Sequence, residues 1–256
     1  MRNRRSALFI LLALGVLALV GPARLAAQGG PPMITDDPGT PGPGKWEINL
    51  GWTADKTAGS TVYGLPLLDA NYGIGDRIEL TYESPWTVVH DEGGDRSGAG
   101  SSLLGVKWRF YDAGEKAWQA SVYPQVTFLD PDSHSDRRGL ADSATTLFLP
   151  FEVAKDLGPI QINFDGGHVF SSEAGGDSWE GGAIVGREVR KGWELDAEVH
   201  VNTSNTLDRS EWIVNFGTRI DFTEHLTLMI ALGRDLSNQL GPRSTLLSYL
   251  GLQLRL

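Results

Sequence analysis

Apolar and polar side chains alternate along most of this chain, from Lys45 to Leu256, in stretches of about ten residues. Alternation with a period of two places successive side chains on opposite faces of a β-strand. The clearest stretch is 193–201, with the sequence WELDAEVHV, in which every second residue is apolar. The pattern therefore predicts a series of strands that each have one apolar and one polar face.

The connections between these predicted strands alternate between long and short. Six long polar segments are predicted as loops: 54–61, 87–99, 129–143, 171–178, 203–209 and 235–244. Five tight turns lie between them: Gly73–Asp76, Asp112–Glu115, Asp156–Gly158, Arg190–Gly192 and Thr223–Glu224. An even number of strands with long loops on one side is typical of outer-membrane barrels. The chain is therefore predicted to be all-β, a closed 12-stranded antiparallel transmembrane β-barrel.

A soluble antiparallel sheet would also alternate, so the positions of the aromatic residues matter. On the predicted outward faces they fall near the two ends of the strands, and aliphatic residues lie between them. One end carries Trp46, Tyr72, Phe110, Trp118, Trp193 and Phe222, and the other carries Trp52, Tyr82, Phe128, Phe170, Trp179 and Trp212. Two such belts are typical of outer-membrane barrels. We therefore expect the protein in a bacterial outer membrane, in contact with lipid and lipopolysaccharide.

The first 44 residues lie outside this alternating pattern, and the last strand completes it. Residues 1–27 combine basic residues with an apolar run of about 14 residues and small residues before a cleavage site, as in a cleaved signal peptide. Residues 28–44 contain five Pro and five Gly and predict a periplasmic leader or a strap that enters the barrel. The barrel is predicted over 45–256. Its last strand ends on Leu256, in the manner of the carboxy-terminal signal that outer-membrane insertion machinery recognises.

Composition excludes several classes of function. Residues 1–27 hold four Arg and no acid, so the remainder has eighteen Lys and Arg against thirty-two Asp and Glu, a formal net charge of −14. A nucleic-acid-binding surface needs a basic footprint, so no nucleic-acid partner is expected. Cysteine is absent, which excludes disulfides, a thiolate nucleophile and a Cys-based metal site.

The segment TDDPGTPGPGKWEINL (35–50) resembles the entry segment of a family of outer-membrane transporters grouped with a protein of the meta-pathway of phenol degradation. LPLLDANYGIGDRIELTY (65–82), GVKWRFYD (105–112) and FLPFEVAKDLGP (148–159) continue the resemblance. It implies an outer-membrane barrel that takes part in the uptake of small, including aromatic, compounds. It carries over no catalytic or ligand-binding residue.

Charged residues with inward parity are the candidates for a functional interior. The predicted lumen-lining residues are Glu47, Asp69, Arg77, Glu79, Glu83, Lys107, Arg109, Glu194, Asp196, Glu198, His200, Arg219 and Asp221. One interpretation is that these charges pair across neighbouring strands, as Arg77 and Glu79 with Lys107 and Arg109 would. The other is that unpaired acids, above all Glu194, Asp196 and Glu198, give a water-filled lumen a preference for cations.

An enzyme is the competing class, because some outer-membrane barrels hydrolyse lipids with a Ser–His pair. His200, Asn202 and Ser204 come nearest, but His200 points inward and Ser204 lies in a loop. The loop Asp130–Asp136 has alternating carboxylates, yet it lacks the Gly and the final Glu of an EF-hand. We therefore expect no enzyme activity, metal site or cofactor.

The predicted function is passive passage of a small, aromatic or cationic solute through a narrow acidic lumen of a monomeric barrel. A twelve-stranded barrel is wider than the eight-stranded ones that side chains fill, and narrower than the porins. A barrel with a plugged interior and a structural or surface-interaction role is the alternative.

Overall fold

The computed structural model describes residues 29–114, 117–158 and 160–256. The predicted signal peptide, Gln28 and the Glu115 end of one predicted turn lie outside these ranges. Within them the strands are β1 (Trp46–Lys56), β2 (Ser60–Ile74), β3 (Ile78–Asp91), β4 (Gly94–Ala99), β5 (Ser102–Asp112), β6 (Trp118–Val122), β7 (Gln125–Phe128), β8 (Thr146–Asp156), β9 (Gln161–Ser171), β10 (Ser178–Arg190), β11 (Trp193–Ser204), β12 (Ser210–Asp221), β13 (Leu226–Asn238) and β14 (Leu246–Arg255). Two short 3₁₀ turns, Pro131–Ser133 and Asp136–Arg138, lie between β7 and β8.

These segments form one closed antiparallel barrel of twelve strands, which confirms the predicted fold. β6 and β7 are two halves of a single strand, since both pair with β5 and with β8. β4 pairs only with the far end of β3, beyond the barrel wall. The ring closes where β1 meets β14, and there Trp46 and Leu256 exchange backbone hydrogen bonds of 2.9 and 2.8 Å.

Several predicted loops are shorter than expected because the strands run on past the wall. The predicted loop 54–61 shrinks to 57–59, and most of 87–99 is the hairpin of β3 and β4. Acidic and glycine-rich composition made these residues look like loops. Backbone pairing with a neighbouring strand stabilises them as strands instead. The long connections nevertheless remain together at one end, called here the loop end, and the short ones at the other, the turn end.

Proline is accommodated where the ladder is interrupted, as expected from its missing N–H donor. Pro66 lies in the register shift of β2 between Gly64 and Leu67, and Pro124 separates β6 from β7. Pro150 lies inside β8, and its carbonyl accepts a hydrogen bond from the Tyr123 N–H at 3.2 Å.

The outward face of the barrel is apolar and exposed. Leu104 and Trp108 on β5 are 51% and 53% exposed, whereas Lys107 between them is 2% exposed. Large apolar side chains are exposed in the same way around the wall, among them Trp46, Leu50, Trp52, Leu80, Tyr82, Trp118, Phe151, Phe164, Trp179, Trp212, Phe216 and Leu250. A soluble protein would hide so large a patch, while a lipid bilayer covers it. The barrel is thus built for the bacterial outer membrane.

Among the residues that the structure describes, no helix is long and apolar enough to span a bilayer.

Two inward tyrosines lie flat over glycines on neighbouring strands. A Cβ atom built on Gly51 would lie 2.8 Å from the Tyr249 ring, and one on Gly251 would lie 2.5 Å from it. Gly51 and Gly251 face each other across β1 and β14, next to the seam that closes the barrel. Tyr123 covers Gly105 in the same way, with a built Cβ at 2.6 Å. The glycines leave room for the rings along the inner wall.

We expect Gly51→Val to destabilise the barrel by about 1–3 kcal/mol, because the added side chain displaces Tyr249 in a packed interior. Valine otherwise favours strands, so a loss of stability would come from this contact. Unfolding in urea, followed by tryptophan fluorescence in detergent, measures it. Gly241→Val is the control, since a Cβ there meets nothing within 4 Å. Equal midpoints for the two variants would contradict the packing role.

Candidate functional site

The interior is the candidate site, and residues 29–44, called here the strap, lie inside it. The strap enters at the turn end, where Gly44 N–H donates to Gly73 O at 2.9 Å and Thr40 Oγ1 donates to Asp76 O at 3.2 Å. It turns back on itself over 30–35, since Gly30 N–H donates to Thr35 O at 2.9 Å. The strap therefore forms a hairpin-like loop within the barrel.

The tip of the strap is held by one carboxylate at mid-wall. Glu198 Oε1 accepts hydrogen bonds from the N–H groups of Ile34 and Thr35 at 3.0 and 2.6 Å. Its other oxygen accepts from Asn215 Nδ2 at 2.5 Å, and the side chain is fully buried. Met33 beside the tip packs in a cluster with Ile184, Met229, Ala231 and Tyr249. The tip of the strap is thus held both by hydrogen bonds to Glu198 and by the apolar packing of Met33.

The returning arm of the strap is held through its backbone. Arg219 Nη2 donates to the carbonyl oxygens of Gly29, Gly30 and Pro31 at 3.0, 2.9 and 2.8 Å. Asp196 Oδ2 lies 3.4 Å from Arg219 Nη1 and balances its charge. A guanidinium has several donors in a fixed plane, so it can bind several carbonyls and a carboxylate at once.

Lys107 holds the middle of the strap. Its Nζ lies 3.0 Å from Asp36 Oδ1 and donates to Asp37 O at 2.7 Å. Glu79 Oε1 and Glu152 Oε2 lie 3.7 and 4.0 Å from the same Nζ, and the side chain is buried. One ammonium group is therefore shared by three carboxylates, of which one belongs to the strap and two to the wall.

A cavity of about 1800 Å³ remains beside the strap. Its charged lining is acidic: Asp36, Asp37, Glu47, Asp55, Asp69, Glu79, Glu83, Asp156, Asp165 and Glu180. Neither Lys nor Arg of the described residues lines it, because Lys107 and Arg219 point into the strap. The lining thus holds ten carboxyl groups and His200, without a permanent cation.

The cavity extends over the length of the barrel. Asp55 and Leu247, at the loop end of β1 and β14, line it. Asp156 and Gln161, on either side of the turn between β8 and β9, also line it. Residues from both ends of the wall therefore line the cavity.

The predicted interior residues fall into three groups. Glu47, Asp69, Glu79, Glu83 and His200 line the cavity. Lys107, Glu194, Asp196, Glu198 and Arg219 are buried inside the barrel but outside the cavity lining. Arg77, Arg109 and Asp221 lie at the turn end, and Arg77 and Asp221 there are exposed.

The row Glu194, Asp196 and Glu198 was expected to supply unpaired charge to a wet lumen, and the contacts differ from that expectation. Asp196 lies against Arg219, and Glu198 accepts backbone N–H groups of the strap. The expected ladder between β3 and β5 is also partial. Glu79 faces Lys107, while Arg109 donates to Asp76 O and pairs with Asp112 at 3.5 Å. The strap explains the different contacts of Asp196 and Glu198. Its backbone needs hydrogen-bond partners, and Glu198 and the Asp196-paired Arg219 supply them.

Sequence reasoning missed Asp36 and Asp37 as interior residues. Both belong to the segment TDDP of the predicted leader or strap, and its Pro- and Gly-rich surroundings did not indicate which side chains would face the interior. One feature of the sequence could have indicated that Asp36 and Asp37 lie inside the barrel: inward acids outnumber the inward bases beside them. A buried base such as Lys107 with several acids around it suggests a further binding partner.

Ser204 and His200, the nearest approach to a Ser–His pair, each contact another side chain. Ser204 Oγ donates to Asp208 Oδ1 at 2.6 Å, and His200 Nε2 lies 3.1 Å from Asn202 Oδ1. His168 lies 3.1 Å from Asn205 and packs against Phe170 and Trp179. Over the described ranges, no group of His, Asp and Glu side chains is arranged to hold a metal ion.

Comparison with known proteins assigns the class. No family model and no curated protein matches the chain. Among solved structures, it is similar to an outer-membrane channel from Pseudomonas putida F1, with a TM-score of 0.68 and 17% identity, covering 90% of this chain and 100% of that one. The NanC porin (TM-score 0.56, 8% identity, 81% and 97% covered) and the KdgM porin (0.54, 8%, 81% and 98%) are similar too.

The chain is therefore an outer-membrane β-barrel with the fold of channels and porins. At these identities the likeness is one of fold. The relation to the phenol-degradation family has no support from sequence families and stays a prediction.

We expect Lys107→Met to destabilise the protein by about 3–5 kcal/mol, because three carboxylates would lose their shared cation in a buried site. The strap should also detach and the ionic conductance should rise. Urea unfolding in detergent and planar-bilayer recording measure the two effects. Lys56→Met, at an exposed lysine, is the control. Stability and conductance equal to those of the control would show that Lys107 does not hold the strap.

Proposed function

We propose that this protein is a passive, non-enzymatic channel that conducts small solutes across the outer membrane and prefers cations. The cavity carries the proposal, because it runs between the two ends of the barrel and is lined by ten carboxyl groups and neither Lys nor Arg of the described part of the chain. Channels and porins of similar fold support it.

Cation preference follows from charge that the wall does not neutralise. Asp55 and Glu83 line the cavity. Asp55 Oδ1 has no hydrogen-bond partner among the described residues, and Glu83 lies between Asp69 and Leu103, neither of which is a base. A passage with low-dielectric walls concentrates the field of such groups, which raises the local concentration of cations and lowers that of anions. A single ring of acids is enough to select cations in other channels.

The strap sets the width of the passage. It takes up part of a lumen that twelve strands would otherwise leave open, and its Asp36 and Asp37 add to the acidic lining. A small hydrated ion or a small organic solute can pass beside it, while a folded or bulky molecule cannot.

A plugged barrel with a structural or surface-interaction role is the second candidate. The observation in its favour is the number of independent anchors on the strap: Lys107, Glu198, Arg219 and the cluster around Met33. The barrel would then present its long loops to the outside, next to lipopolysaccharide, without conducting.

We further propose that the barrel is a monomer, with the turn end and both chain termini in the periplasm, and that the insertion machinery recognises its last strand. One closed ring completes the backbone pairing of the wall, so no second copy is needed for it.

Planar bilayers distinguish the two candidates. With purified protein and a KCl gradient, we expect discrete conductance steps and a reversal potential that indicates a roughly tenfold preference for potassium over chloride. A trace without steps, from protein shown to be folded by its heat-dependent shift in electrophoresis, would reject the channel and favour the plugged barrel.

We expect the double change Asp55→Asn and Glu83→Gln to lower the potassium preference roughly twofold or more, because it removes two unneutralised charges from the passage. The reversal potential measures the change. The matched control removes the same charge at two exposed loop positions outside the cavity, Asp142→Asn and Glu173→Gln. An equal effect of both double variants would mean that surface charge, and not the lining, selects the ion.

A further inference from the structure

The outer half of the cavity contains apolar side chains that a simple water-filled lumen does not require. Inward-facing positions there are occupied by five apolar residues, where polar ones would be expected: Val62, Leu67, Leu103, Phe148 and Leu247. Val62 is 40% exposed and lies between Asp55 on β1 and Val89 on β3. Apolar surface in contact with water is costly, so a surface of this kind in a cavity indicates a ligand that covers it.

Some of these apolar residues lie directly beside cavity-lining acids across the strands. In one row, Asp55 on β1 is flanked by Val62 on β2 and Leu247 on β14. In a second row, Glu83 on β3 is flanked by Asp69 on β2 and Leu103 on β5. Directly opposite residues on antiparallel strands have Cβ atoms about 5 Å apart. Each carboxylate is therefore within one side-chain length of an aliphatic surface.

An inorganic cation would use only the carboxylates of these rows. An amphiphilic organic cation would use both kinds of group, since its ammonium can donate to Asp55 or Glu83 while its carbon skeleton covers the adjacent aliphatic side chains. Asp55 Oδ1 has no hydrogen-bond partner among the described residues, and Glu83 lines the cavity, so both carboxylates are placed to accept hydrogen bonds from a ligand. The cavity, at about 1800 Å³, holds such a molecule together with water.

We propose that the outer half of the cavity is a binding site for primary ammonium compounds with an aromatic or aliphatic body, and that these are the solutes the channel takes up. The proposal rests on the proposed function, because it places the site on the conducting path. The acids supply the charge recognition, and Val62, Leu103 and Leu247 supply the preference for an apolar body.

The test compares phenethylammonium with methylammonium and phenylacetate, which share its charge and its ring respectively. Titration calorimetry on the detergent-solubilised protein measures binding whether or not the barrel conducts. We expect phenethylammonium to bind roughly tenfold more tightly than methylammonium, and phenylacetate not to bind. In bilayers, phenethylammonium should block the potassium current at lower concentration when it is added on the loop side.

The decisive variant is Leu103→Gln with Leu247→Gln, which leaves every acid in place. The advantage of phenethylammonium over methylammonium should fall to about twofold or less. Leu240→Gln, at an exposed loop leucine outside the cavity lining, is the control. Should the double variant fail to fold, Leu247→Gln alone, at the rim, gives the same comparison.

The outcomes separate this proposal from the channel itself. Equal binding of the two ammonium ions to the wild type, or an advantage that survives in the double variant, overturns the site while a cation-selective conductance stands. Tight phenethylammonium binding without any conductance retains the site and rejects the channel.

Discussion

Closure of the hydrogen-bonded wall is the constraint on which the rest of this structure depends. In lipid no water can bond to a free peptide group, so a sheet can cross the membrane only when it has no open edge. Here the first and last strands complete the ring, and Trp46 and Leu256 bond to each other at its base. Once the ring is closed, the outward residues must be apolar, and twelve strands leave an interior that side chains alone do not fill.

The strap occupies part of the interior that the side chains of the wall leave unfilled. The backbone N–H and C=O groups of the strap need hydrogen-bond partners, as those of the wall do. Glu198 accepts a hydrogen bond from a strap N–H group, and Arg219 donates one to a strap carbonyl. The buried bases Lys107 and Arg219 are therefore engaged by the strap and its neighbouring acids. Of the acids that line the remaining space, Asp36 and Glu79 share Lys107, whereas Asp55 and Glu83 lie in no ion pair of the described residues, and the acidic character of the cavity follows from this division.

The sequence predicts the wall well and the interior poorly, for physical reasons. Alternation along 193–201 and the spacing of turns reflect local rules, since each residue's face depends only on its parity. The strand number and the outward belt of Leu104 and Trp108 follow from them. The contacts of Glu198 with Ile34 and Thr35 join residues far apart in the chain, and parity says nothing about what lies opposite an inward side chain. The extension of β3 into a hairpin with β4 was missed because local composition there is that of a loop.

The hydrogen bonds that Arg219 donates to Gly29, Gly30 and Pro31 of the strap go to main-chain oxygens. These hydrogen bonds do not depend on the side chains of this arm. Its sequence can therefore change during evolution while the arm stays in place, provided that the backbone keeps its length and course. The side chains of this arm can thus differ without loss of its attachment, whereas Met33 and Asp36 hold the strap through their side chains.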